Sequence, residues 1–85
     1  MNSSIRHDLK IHTSFFHPVL AGDKTFEIRR NDDRGFQKGD VCMLWEVNDL
    51  GLKSNRWVKV LITYVLNYAQ KEDYVVFSFK VEDQG

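Results

Sequence analysis

What this chain lacks narrows it before any motif is read. It has a single cysteine, Cys42, which excludes an intramolecular disulfide and fits a reducing compartment. It has a single proline, and its five glycines are scattered, so there is no phosphate-cradling glycine loop and no flexible linker. It has no net charge: twelve Lys and Arg balance twelve Asp and Glu, and the two halves of the chain barely differ. Tight, charge-driven, non-specific nucleic-acid binding is therefore not expected, and any electropositive site must be made by folding. No apolar run approaches the roughly 20 residues of a membrane-spanning helix. Met1 to Ser4 carry no apolar signal region, so the expectation is a soluble, cytoplasmic protein.

What it does have is bulk. Eleven aromatic residues in a chain of 85 supply large core anchors. The length fits one domain over residues 1–85, near the lower limit for a self-sufficient core, with 1–4 and 83–85 expected to be flexible. Cys42 sits inside an apolar run and reads as a buried residue rather than a nucleophile.

Periodicity gives the elements. Ile5 to His12 alternates like a strand. Thr13 or Ser14 offers an N-cap, and Phe15, Phe16, Val19 and Leu20 share one face of a helix of about two turns. That helix tolerates Pro18 if it starts near Ser14, and Gly22 ends it. Thr25 to Arg30 is a second strand, and Asn31 to Gly39 a polar connection that Phe36 tucks onto the core. Val41 to Val47 is apolar at nearly every position, so both its faces are covered. Asn48 to Asn55 reads as a loop, Arg56 to Leu66 as a long strand, and Tyr74 to Val81 as a last strand with Val75, Phe77, Phe79 and Val81 on one face. The fold class is a small, β-rich α+β domain of five to six strands and one short helix, its sheet curled on itself to hide its edges.

The chain is organised around Ala21 to Arg30. Alternation there sends Phe26 and Ile28 toward the core and Thr25, Glu27 and Arg29 to the opposite, polar face, with Lys24 beside them. A carboxylate between two cations keeps its charge and can accept from a base amine or act as a base; a guanidinium forks onto phosphate or a guanine edge. The same residues also read as a structural ion pair on a solvated face.

Gly22-Asp23-Lys24-Thr25-Phe26-Glu27-Ile28-Arg29, then Asn31-Asp32, then Phe36-Gln37-Lys38-Gly39-Asp40, resembles the signature of the ASCH domains of the PUA-like superfamily. The likeness is to their small bacterial and phage branch of unassigned function. It covers His7 to Trp45. It implies a PUA-like pseudo-barrel, with the helix next to the first strand and a cleft between them proposed to hold RNA or a nucleotide. Some ASCH-group proteins hydrolyse amides on acetylated cytidines with a lysine, a threonine and a glutamate. Lys24 matches the lysine, but Glu27 stands at the threonine position and the nearby hydroxyl is Thr25, one residue after the lysine. A nucleophile needs a particular place beside its base, so this departure counts against that chemistry.

The resulting expectation is an RNA- or nucleotide-binding domain. Its candidate ligand contacts are Lys24, Thr25, Glu27, Arg29, Arg30, Lys38, His17 beside the cleft, and Trp57 as a stacking platform. The alternatives are an amidohydrolase of modified nucleosides using Lys24, Thr25 and Glu27, and a ligand-free interaction module. If Asn31–Gly39 and Asn48–Arg56 lie together, Arg29, Arg30, Arg34, Lys38, Lys53, Arg56 and Lys59 form a cationic rim. Glu46, Glu72 and Glu82 sit in no recognisable motif. His7, His12 and His17 recur every five residues, which is not the helical i, i+4 spacing and puts His7 and His12 on opposite faces of a strand. No metal and no cofactor is expected, and the chain is expected to be a monomer or a weak dimer.

Overall fold

The computed structural model describes residues 5–30, 35–67 and 74–85. Strand β1 (Arg6–His12) runs directly into helix α1 (Thr13–Ala21). Strands β2 (Phe26–Arg30), β3 (Val41–Val47), β4 (Lys53–Asn67) and β5 (Tyr74–Gln84) follow. The five strands form one sheet in the order β1-β3-β4-β5-β2, curled into a half-barrel. Pairing is antiparallel except between β1 and β3. Both ends of the sheet come from the first 30 residues, because α1 carries the backbone from one edge strand to the other.

The core fills the hollow of the half-barrel. Leu9 and Ile11 of β1, Leu44 of β3, Val58, Val60 and Ile62 of β4 and Val75, Phe77 and Phe79 of β5 meet Phe16 and Val19 of α1 there. β3 is buried on both faces, as a run apolar at nearly every position predicts, and Cys42 lies inside it. Phe36 does anchor its segment, with its ring 4.5 Å from His7 and 5.0 Å from Phe77. His7 Nε2 meets Asp40 Oδ2 at 2.8 Å, with both residues buried. Asp40 also accepts the amides of Ile5 and Gln37, so one carboxylate ties the start of β1 to the turn that launches β3.

Several boundaries differ from the sequence reading, each for a local reason. The helix cap is His12 rather than Thr13 or Ser14: its Nδ1 accepts the Ser14 amide, leaving Nε2 to donate to Asp49 Oδ1 at 2.5 Å. Pro18 is therefore the sixth residue of the helix. Its missing N–H would have met the carbonyl of Ser14, which is exposed. Phe15 does not join the core face; it is 54% exposed beside the sheet's open edge. β4 starts at Lys53 because Asn48 closes a tighter turn, its Oδ1 accepting the amides of Leu50 and Leu52. β5 runs three residues past Val81, which is exposed, and Gly85 exchanges two backbone hydrogen bonds with Trp57. The expected flexibility of residues 1–4 lies outside the described residues.

The largest correction concerns β2. The alternation is present, but its sides are reversed. Phe26 and Ile28 face outward at 45% and 57% exposure, while Glu27 is buried at 5%. A buried carboxylate is tolerated only when ionic or hydrogen-bonding partners are buried with it, and Glu27 has two.

Candidate functional site

The site begins with the end of α1. Gly22 adopts a left-handed conformation, φ 82°, and the carbonyl of Pro18 then accepts the amides of both Asp23 and Lys24. This closes the helix and fixes Lys24 over the start of β2. The Lys24 ammonium donates to the Phe26 carbonyl at 2.7 Å and to Glu27 Oε2. Arg29, two residues along the same face of β2, donates through Nε to Glu27 Oε1 at 2.9 Å. Its Nη2 reaches across to the carbonyl of Lys10 on β1 at 2.8 Å. Glu27 is thus engaged on both oxygens and serves as the pin that holds two cations in place.

β1 and β2 are the two edges of the half-barrel, so their outer backbone groups face each other across an unpaired seam. A cleft of about 480 Å³ occupies that seam beneath α1. Lys24, Glu27 and Arg29 form its polar wall, Lys10 and His12 line the β1 side, and Phe15 and Phe26 flank the mouth. The Lys24 ammonium stands 5.7 Å from the Phe15 ring and 5.2 Å from the Phe26 ring, within cation–π range of both.

The other expected contacts lie elsewhere. Thr25 and Arg30 are exposed at the two ends of β2 and do not line the cleft. Lys38 is exposed in the turn before β3. Trp57 is half-buried, paired in register with Trp45 and covered by Gly85. The proposed cationic rim does not assemble from the described residues. Residues 35–40 precede β3 and residues 48–52 follow it, so the two connections sit at opposite ends of a strand about 20 Å long. Arg34 of that rim lies outside the described residues. Lys53 instead caps the Trp45 ring at 4.9 Å.

A second polar centre, which no motif announced, lies on the other side of α1. Glu46 of β3 is buried, and its oxygens accept the hydroxyls of Thr13 at 2.5 Å and Ser54 at 2.6 Å. The His17 Nε2 and Arg56 Nη1 atoms stand 3.7 and 3.9 Å away, with Arg56 stacked 5.0 Å over Phe16. His17 therefore turns toward Glu46 and not toward the cleft. The hydrogen bonds from Ser54 and then Thr13 hold the Glu46 carboxyl below the ordinary glutamate range, outweighing its burial, so it is an anchor and a weak base. One signal in the sequence could have found it: a lone acid inside a strand with both faces covered must bury its charge and so must have partners. Among the described residues no three His, Cys, Asp or Glu side chains converge in a way that could hold a metal ion. None of the described helices is long and apolar enough to cross a membrane.

Comparison with known proteins agrees with a small domain of phage and bacterial type. The chain is similar to the "Uncharacterized 12.9 kDa protein in GpA 3'region" of Escherichia phage P2, at 37% identity over 71 residues. The match covers 82% of this chain and 63% of that protein, so the chain spans less than two thirds of this relative's length. Residues 6–79, from the first residue of β1 well into β5, match the family described as "Domain of unknown function (DUF3850)", and the chain belongs to that family.

Proposed function

We propose that this chain is an RNA- or nucleotide-binding domain whose ligand occupies the cleft between α1 and β2, as in the ASCH and PUA-like domains that its Gly22–Asp40 segment resembles. The observation that carries this reading is the pairing of oriented cations with exposed aromatics at an open seam: Lys24 and Arg29 fixed by Glu27, with Phe15 and Phe26 beside them. Cations set by a buried carboxylate lose little side-chain freedom on meeting a phosphate, and the rings offer faces to a base. With no net charge on the chain, affinity comes from this local arrangement and is modest.

Glu27 is a positioning residue in this reading, because both its oxygens are already engaged. The same geometry favours binding over amide hydrolysis. The Lys24 ammonium donates to a carboxylate and to a carbonyl, so it is held in place as a donor and is not aimed at a hydroxyl that it could activate.

The test is a titration of nucleosides, nucleotides and short single-stranded RNAs, followed by amide chemical shifts in the wild type and in Arg29→Ala. Shifts are expected to cluster on Lys10, Lys24 and β2, and to weaken at least several-fold in the variant. Identical shifts in both proteins overturn the assignment. Turnover of acetylcytidine that disappears in Lys24→Ala would replace it with the hydrolase reading.

A further inference from the structure

The outward-facing residues of β2, β5 and β4 form a continuous apolar surface, which neither the core nor the cleft explains. The register places Phe26, Ser78 and Tyr64 in one row across the three strands, and Ile28, Val76 and Leu66 in the next. Arg30 and Tyr74 begin a third. Phe26, Ile28, Tyr64, Leu66 and Tyr74 are all at least 41% exposed. Phe26 and Ile28 also line the cleft, so the surface starts where the cleft ends.

We infer that this face is a stacking platform for single-stranded RNA, on which nucleotides flanking the one in the cleft lie. The inference rests on the reading of the cleft as a nucleotide site and extends it from a single nucleotide to a strand. Aromatic rings on an open sheet accept unstacked bases of any identity, and two of the three rings here are exposed tyrosines. Ser78 is the small residue between Phe26 and Tyr64, which stand two strands apart, about 10 Å, leaving a gap between flat neighbours. From Phe26 across to Tyr64 and along β5 to Tyr74, the face offers room for roughly two to three nucleotides.

Charge decides between this occupant and a second copy of the chain. Among the described residues, the rows contain no carboxylate. Lys24 sits over Phe26 at one margin and Lys80 continues the outer side of β5 at another. A self-association would bring these lysine margins together, whereas a polyanion meets them with opposite charge.

The experiment is fluorescence anisotropy with oligouridylates from the mononucleotide up to about eight residues, using the full chain, Tyr64→Ala and Arg29→Ala. Tyr64 is exposed, so its truncation leaves the fold intact, and an unchanged urea midpoint checks this. The wild type is expected to gain affinity with length and then level off. Tyr64→Ala is expected to bind the mononucleotide as the wild type does and to lose roughly five- to hundredfold on the longer strands. An unchanged length dependence in Tyr64→Ala overturns the platform. So does wild-type self-association that Tyr64→Ala abolishes without affecting RNA. Loss of strand binding in Tyr64→Ala, with no mononucleotide binding and no effect of Arg29→Ala, overturns the cleft and leaves the platform standing.

Discussion

Two glutamates, Glu27 and Glu46, explain most of what is polar inside this protein. Each is buried in a strand, and each is satisfied by side chains from two directions. Glu46 makes a pH prediction. Its folded-state pKa is lowered, so it contributes stability above the ordinary glutamate value of about 4.3, and that contribution is lost as pH falls through the lower folded value. Glu46→Gln is expected to lose about 1–3 kcal/mol at neutral pH, with the gap to wild type narrowing under acid. Urea denaturation at neutral pH and in acid measures it; a gap that widens in acid contradicts the assignment. Glu27 shows where sequence reasoning stops. The alternation of Phe26, Glu27, Ile28 and Arg29 was legible, and so was a carboxylate set between two cations. Which side was inside was not, because the usual preference for burying Phe and Ile was overridden by partners that neutralise Glu27 locally and by an outer sheet face left apolar.

At the scale of elements, the turn after α1 controls the site. Gly22 is left-handed and no heavy atom lies within 4 Å of where a Cβ would stand, so a side chain there meets strain in the backbone and not a clash. Gly22→Ala is expected to destabilise the protein by about 1–2 kcal/mol, read as a lower urea midpoint at unchanged slope. It should also weaken nucleotide binding, since the Pro18 carbonyl would no longer hold the Lys24 amide. Most elements were visible in the sequence: β3 was read to the residue from a run apolar at nearly every position, and the glycine stop of α1 from its place after Leu20 and Ala21. The ends that slipped are those set by side-chain capping. His12 caps the helix while the Thr13 hydroxyl is taken by Glu46 and that of Ser14 by His12 itself, and Asn48 shortened a turn that polarity alone had lengthened.

For the whole molecule, alternating strands and one short helix were enough to give a curled, β-rich α+β fold. The strand order was not, because parallel pairing of β1 with β3 depends on contacts distant in sequence. The chain terminus is also part of the wall. Removing Glu82–Gly85 deletes the pairing of Lys59 with Asp83 and of Val58 with Gln84, together with both bonds between Gly85 and Trp57. Hydrogen exchange is expected to show the Trp57 amide losing its protection while those of β3 keep theirs. Stability should fall by roughly 1–2 kcal/mol for the backbone bonds lost. Protection of Trp57 that survives the truncation would show that the terminus contributes nothing to the sheet.

The reach of Arg29 to the Lys10 carbonyl spans a gap that the strands themselves leave open. A ligand of the kind proposed would not have to unzip any ladder to enter; it would displace one guanidinium arm. On the proposed reading, entry then costs one hydrogen bond, and the same arm is free to turn onto the phosphate of the ligand. Replacing it should change how long a guest stays far more than how fast it arrives.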